Sequence, residues 1–311
     1  MIHMNNRVVV PKGMIEAGNQ YLRDHGYEPV IVDNNENAIL KEAKDAVGAI
    51  LFVEPFTAST IDQMPNLKII ARHGVGYDAV DYEYAAKKGI WVTITPNANA
   101  STVAETTLAE IFDVSKNIVT HTETMKNGDG PRPLGFDLEG KTLGIMGYGR
   151  IGQMVAKKVS GLGMNVLLYS RTQKDTPYGN FADRDTILSE SDILTLHMPV
   201  TPETKYGIGA AEFKQMKSTA TLINLGRGAL VDQDALIEAL KTGEIGQAAL
   251  DVTDPEPLPR NSELYKLDNV LLTPHIASST VESMTRMAVD AASEVVRVLD
   301  GGDPKWPVNK I

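Results

Sequence analysis

The stretch 141–152, KTLGIMGYGRIG, constrains the fold more than any other part of this chain. Leu143, Ile145 and Met146 suit a buried strand, which runs into three glycines spaced G-x-G-x-x-G and then into a helical pattern. Each glycine has its own physical task. Gly147 makes the tight turn out of the strand, Gly149 lets backbone approach a pyrophosphate, and Gly152 lets the new helix pack near the strand. The helix then aims free N–H groups and the positive end of its dipole at the phosphates. A glycine pattern alone also suits any tight strand-to-helix turn, so its setting decides.

The setting is a run of alternating strands and helices. After the turn, strands are predicted at 165–169, 193–196, 221–224, 248–252 and 270–272, with helices at 151–162, 184–189, 210–216 and 233–241. A shorter unit of the same kind precedes it, with strands at 7–10, 28–32, 48–53, 67–71 and 90–94 and helices at 14–25, 36–46 and 81–88. Such alternation argues for parallel sheets covered on both faces. Between the units, Ser101 is the expected N-cap of a helix running to about 120, with Val103, Leu108, Ile111 and Phe112 on one side. The stretch 126–136, rich in Gly and Pro, reads as a connector, and 280–299 reads as a long amphipathic helix. The glycine turn thus follows the first strand of the second α/β unit, which is the context a dinucleotide-binding fingerprint requires.

A chain of 311 residues with 42% apolar composition can fill two cores. Its longest apolar run, 47–53, is far short of a bilayer span. The N-terminal MIHMNNRVVVPKG has no export-signal pattern, so a cytoplasmic location is expected. There are no cysteines, which excludes disulfides, thiolate metal sites and a cysteine nucleophile, and no metal site is expected. The formal charge of -10 argues against a nucleic-acid partner. An anionic ligand must therefore be held by local cations or helix N-termini against an unfavourable mean field.

In dinucleotide folds the tip of the second strand selects the cofactor. Here that tip reads Ser170-Arg171-Thr172, with no carboxylate before Asp175. A guanidinium and two hydroxyls suit a 2′-phosphate, so NADP(H) is expected, with NAD(H) possible. The plain alternative is that Arg171 is an ordinary surface arginine.

Three further strand ends carry polar residues: Asn224-Leu-Gly-Arg-Gly228 with Arg227, Asp251-Val-Thr-Asp-Pro-Glu-Pro257 with Asp251 and Glu256, and Thr273-Pro-His-Ile-Ala277 with His275. Taken singly, Arg227 could cap carbonyls, His275 could be a satisfied loop histidine, and Glu256 a solvated carboxylate. Together they stand where ligands bind in open α/β sheets, beyond the carboxyl ends of strands.

With Gly74-Val-Gly-Tyr-Asp78, Val103-Ala-Glu105 and Leu196-His-Met-Pro199 added, the chain resembles over nearly its whole length the D-isomer-specific 2-hydroxyacid dehydrogenases, including phosphoglycerate dehydrogenases and glyoxylate/hydroxypyruvate reductases. The resemblance implies two Rossmann-like or flavodoxin-like α/β domains with parallel sheets. The cofactor domain, 98–278, would be inserted into a discontinuous substrate domain, 1–97 and 279–311, with hinges near 95–102 and 275–282.

It also implies reduction of a 2-keto acid to a D-2-hydroxy acid and the reverse. Arg227 would clamp the substrate carboxylate, His275 would pass the proton, and Glu256 would hold the imidazole. Val75 and Gly76 would donate backbone N–H groups to the substrate. Gly147, Tyr148, Gly149, Arg150, Ile151 and Gly152, then Ser170, Arg171 and Thr172, then His197, Pro199 and Thr204, would line the cofactor, with Thr102 and Asp251 near the nicotinamide. A homodimer is the expected assembly.

Arg72 and His73 either add positive charge for the substrate or cover the domain surface, and the second is preferred. A formate dehydrogenase would pair the histidine with glutamine, which Glu256 opposes. The other rivals are a nicotinamide-sensing corepressor-like binding protein and an NAD-preferring phosphoglycerate dehydrogenase.

Overall fold

The computed structural model describes residues 6–311. They divide into two compact α/β units, one made of residues up to Asn99 together with Ser279–Ile311, the other of Ala100–Ser278.

The first unit runs β1 (Arg7–Pro11), α1 (Glu16–Asp24), β2 (Glu28–Val32), α2 (Glu36–Ala43), β3 (Gly48–Leu51), α3 (Ala58–Asp62), β4 (Ile69–Arg72), α4 (Tyr82–Lys87) and β5 (Trp91–Thr93). Its sheet is wholly parallel, in the order β2-β1-β3-β4-β5. This is the flavodoxin-like winding. The strands alternate faces: Val8, Val10, Ile50 and Ile69 serve one core, and Val9, Leu51, Ile70 and Val92 the other.

The second unit runs α5 (Ala100–Lys116), α6 (Ile118–Asn127), β6 (Thr142–Met146), α7 (Arg150–Val159), β7 (Asn165–Tyr169), β8 (Asn180–Phe181), α8 (Arg184–Glu190), β9 (Ile193–Leu196), α9 (Ala210–Phe213), β10 (Thr221–Asn224), α10 (Gln233–Thr242), β11 (Gln247–Leu250) and β12 (Val270–Leu272). Its sheet, β12-β11-β10-β9-β6-β7-β8, is also wholly parallel. The chain enters at β6, winds outward to β8, then returns to β9 and winds the other way. That is the Rossmann-like order extended by one strand, and its direction reverses between β6 and β9.

The chain then closes the first unit with α11 (Val281–Leu299), capped by Thr280 Oγ1 accepting from Ser283 N at 3.2 Å. Ala288, Ala291 and Ala292 keep its inner face thin, so it lies close to the sheet and to α1. A Cβ at Gly18 of α1 would meet the Ala288 carbonyl oxygen at 2.9 Å, so that side of α1 must be bare. The tail is fixed to β5 by Asn309, which is 8% exposed. Its Oδ1 accepts from Val92 N at 2.9 Å, and its Nδ2 donates to Ile90 O at 2.9 Å.

Three local expectations are corrected. The segment entering α5 turns earlier than expected, with Ala98 N bonded to Thr95 O, so α5 already includes Ala100. Ser101 is therefore inside the helix, its Oγ donating to Glu105 Oε1 at 3.3 Å, and not its N-cap. The helix expected to reach about 120 stops at Lys116, because Asn117 takes a left-handed φ of 52° and α6 starts afresh. Phe112 leaves the apolar stripe and is 39% exposed. The short elements α3 and β8 lie in stretches with no periodic signal. No helix among the described residues is long and apolar enough to cross a membrane.

Asn309→Ala leaves the Val92 N–H and Ile90 C=O buried without these partners. The expected cost is about 1–3 kcal/mol, read from the denaturation midpoint and from faster exchange of the Val92 amide. Unchanged exchange would show that the tail is not tied to β5 in this way.

Candidate active site

The glycine turn stands at the point where the second sheet reverses its winding. Gly147 N donates to Tyr169 O at 2.8 Å, and the residue takes a φ of 102°. A Cβ there would sit 2.5 Å from the His197 carbonyl oxygen, so only glycine lets β6 and the segment after β9 close up. A Cβ at Gly152 would fall 2.1 Å from Gly147 O, so α7 could not seat against the turn. Gly149 differs: nothing lies within 4 Å of its Cβ position, and as N-cap of α7 it offers no side-chain cap. An open cradle beside a helix start whose first N–H groups have no intrahelical partner fits a phosphate.

The other sequence candidates for this pocket divide. Arg150 and Ile151 begin α7. Ser170, Arg171 and Thr172 follow β7, the last two exposed. Glu203 comes near Arg171; its carboxyl is held below the usual range chiefly by the Thr201 hydroxyl and in small part by Arg171. Tyr148 turns inward, its Oη donating to Thr176 Oγ1 at 2.6 Å and its ring meeting Phe181 edge-on, so the turn keeps only its backbone. The His197 ring also turns inward, with Nε2 3.0 Å from Thr195 Oγ1, and desolvation lowers its pKa to about 4. The Thr204 hydroxyl donates to Pro199 O and accepts from Thr201 N, both at 2.7 Å, so it closes a turn. Thr102 is buried in the first turn of α5.

The candidate reacting groups stand at the ends of β10, β11 and β12, which follow one another in the sheet. Arg227 is presented by a turn that Asn224 builds: its Oδ1 accepts from Gly226 N at 3.0 Å and its Nδ2 donates to Arg227 O at 2.8 Å. Gly228 lets this turn lie against the next one, since a Cβ there would be 2.0 Å from Thr253 O. Arg227 Nη1 donates to Gly226 O at 2.8 Å.

Asp251, 2% exposed, organises the third segment. Its Oδ1 accepts from Thr273 Oγ1 at 2.6 Å and Ile276 N at 2.7 Å, and its Oδ2 accepts from Ala277 N at 2.8 Å. Its backbone oxygen accepts from His275 N at 2.9 Å. Held on both sides, His275 adopts a φ of 54°, a conformation side chains other than glycine seldom take. Its Nδ1 lies 2.5 Å from Glu256 Oε1. An ionised Glu256 can only accept, so Nδ1 carries the proton of that bond and Nε2 is the nitrogen left to face a ligand. A pocket of 280 Å³ borders this pair, lined by Glu256, Leu258, Tyr265, Thr273 and His275.

Asn224, Gly228 and Thr273 lie within the sequence motifs, but their tasks, like the position of Glu110, emerge only from the fold. Asn224 had a readable signal, an amide at the end of a buried strand. In the first unit Arg72 and His73 correct the expectation of a surface role, being 4% and 8% exposed. Arg72 Nε donates to Gly76 O at 2.8 Å and so shapes the loop carrying Val75 and Gly76. Burial lowers the pKa of His73 to about 4.

An open parallel sheet with a glycine turn at its reversal point and a histidine–carboxylate pair at its strand ends is the frame of a dinucleotide-dependent dehydrogenase. A family model for the D-isomer specific 2-hydroxyacid dehydrogenase NAD binding domain matches residues 108–277. A glyoxylate reductase of Thermofilum pendens is 43% identical over 86% of this chain and 82% of its own length. Among solved structures, the TT0316 protein of Thermus thermophilus superposes with a TM-score of 0.91 at 40% identity, covering 97% of this chain and 100% of that one. An NADPH-dependent glyoxylate/hydroxypyruvate reductase of Sinorhizobium meliloti, bound to NADP and malonate, gives a TM-score of 0.89 at 28% identity, covering 98% and 97%. The chain belongs to the D-isomer specific 2-hydroxyacid dehydrogenase family.

Asp251→Ala removes the acceptor of two backbone N–H groups, at about 1–3 kcal/mol for each left unpaired. Amide exchange at Ile276 and Ala277 should rise sharply while Val166 in β7 keeps its protection. Equal protection in variant and wild type would remove Asp251 from this role.

Proposed function

We propose that this enzyme reduces a 2-keto acid to a D-2-hydroxy acid, and runs the reverse reaction, with NADP(H) preferred over NAD(H). The observation that carries the reading is His275, after β12, paired at 2.5 Å with Glu256 on the loop that Asp251 opens after β11, next to the β10 end that carries Arg227. The relatives are named for reduction of glyoxylate and hydroxypyruvate, small acids with the carboxylate and carbonyl this set can recognise.

Arg227 offers a planar fork that holds a carboxylate and draws charge from the neighbouring carbonyl oxygen. His275 gives a proton to that oxygen from Nε2 in reduction and takes it back in oxidation, while Glu256 fixes the ring and stabilises the imidazolium at Nδ1. Val75 and Gly76 are assigned to the substrate carboxylate on family grounds. The residues from Gly147 to Gly152 hold the pyrophosphate. Asp251, besides anchoring its own segment, serves the carboxamide end. When bound, the reduced nicotinamide supplies the hydride. Ser170, Arg171 and Thr172 serve the 2′-phosphate, and support for this lies in the absence of a carboxylate at the tip of β7.

Oxidation of NADPH and NADH over a panel of glyoxylate, hydroxypyruvate and pyruvate tests the reading. A higher kcat/KM with NADPH is expected, and a clear preference for NADH would sink the cofactor assignment. Arg171→Ala should lower kcat/KM for NADPH by about 10–100-fold, the loss of one or two charge-assisted bonds, with little change for NADH. His275→Ala should reduce kcat by about 10²–10⁴-fold with NADPH binding retained. Undiminished turnover in that variant would refute the mechanism, and no turnover in the wild type would favour a binding protein.

A further inference from the structure

Glu110 of α5 is 3% exposed, and its Oε2 is buried with no hydrogen-bond partner. Its Oε1 lies 3.4 Å from Thr273 Oγ1. That hydroxyl gives its single proton to Asp251 Oδ1, at 2.6 Å, and has only a lone pair left for Glu110. The contact closes if Glu110 itself carries a proton: the acid donates to Thr273 Oγ1, and Thr273 donates to Asp251. An ionised Glu110 would set a second charge beside a buried carboxylate and leave a charged oxygen without a donor, both costly in a dry interior.

Among the described residues, the charges acting on Glu110 include no compensating cation. The ionisable groups acting on Glu110 are Asp251, at the end of β11, and Asp113, one turn along α5. Val155, Ala156 and Val159 of α7, Ile223 of β10 and Ala249 of β11 belong to the apolar cluster that α5 shares with these elements. Lys158 of α7 is engaged by Glu105 at 2.7 Å.

We propose that Glu110 is a positioning residue for His275: as a neutral acid it completes a relay through Thr273 to Asp251 that holds the 273–277 segment, and on losing its proton it loosens that segment. Burial first, and the charge of Asp251 second, push its pKa up to about 8. The alkaline edge of activity is then set partly by a group that touches neither substrate nor cofactor. Stability carries the same signature. The folded chain keeps a proton that an unfolded glutamate, at its ordinary value of 4.5, has lost, so stability falls as pH rises from there to about 8.

The decisive test is amide exchange of the 273–277 segment between about pH 6 and 9.5, corrected for the intrinsic pH dependence, in wild type and in Glu110→Gln, which keeps a donor and cannot ionise. Protection at Ile276 and Ala277 should drop in wild type above about pH 8 and persist in the variant, whose melting temperature should also lose the downward slope over the same window. Protection that holds in wild type throughout, or drops alike in both, overturns the proposal. Should the variant fail to fold, carbon-13 NMR of labelled wild type decides, since a Glu110 carboxyl titrating below pH 6 is incompatible with the relay. The kinetic arm alone rests on the proposed function. In oxidation of a D-2-hydroxy acid, where neutral His275 is the base, wild-type kcat should fall above about pH 8 by about tenfold per unit, the limit for one ionisation. Glu110→Gln, scaled to its own maximum, should not fall, and a matching fall would count against the proposal. A chain without turnover fails the functional reading and leaves the exchange result standing.

Discussion

The carboxylate of Asp251 is the interaction on which the candidate site depends. It is buried, and it accepts from a hydroxyl and two backbone N–H groups of one short segment. That concentration of donors satisfies a charge that would otherwise be expensive to bury. In return the segment after β12 is tied down on both sides, with left-handed backbone at His275. The reach of His275 toward Glu256 is thus a consequence of Asp251, although the two carboxylates sit on the same loop and look alike in sequence. One is an internal anchor, and the other a half-exposed partner of the imidazole.

A second constraint is the close approach of backbones at the strand ends of the second sheet. The turn at Gly147 lies against the segment after β9, and the turn at Gly228 lies against the segment after β11. Side chains at either place would push adjacent strand ends apart. The close approaches bring the end of β6 beside that of β9 and the end of β10 beside that of β11, so groups far apart in sequence open onto one edge. Gly149 is the counter-case: no protein atom lies within 4 Å of its Cβ position, and the space beside the start of α7 is open.

Charge shapes the site in the same local way. The chain carries a formal -10, yet the groups suited to anions are few and placed at strand ends and a helix start. Each works over a few ångströms, where a guanidinium or an uncapped N–H outweighs a mean field screened by solvent. The buried acids Glu110 and Asp251 lie behind that edge, where one ionised carboxylate tends to keep the other neutral.

Much of this was legible in the sequence, and for definite reasons. Strand–helix alternation dictates parallel sheets, because parallel strands need a crossover that covers a face. The three-glycine spacing marks the turn at β6, although only Gly152 answers a demand made nearby, by Gly147 O; Gly147 answers one made by His197, and Gly149 faces open space. Arg227, Glu256 and His275 stand out as polar residues at strand ends. What tertiary structure alone decided was where side chains turn. Tyr148, His197 and Thr204 lie in or beside the expected cofactor motifs, yet two turn into the core and the third closes a turn, since neighbours such as Thr176, Thr195 and Pro199 offer partners that spacing does not reveal. The task of Glu110 was invisible for the same reason: its partner Thr273 is 163 residues away, and only the packing of α5 on the second sheet brings the two carboxyls to one hydroxyl. Sequence determines which local conformations and chemistries are available; burial and distance, which only the folded chain has, decide which are used.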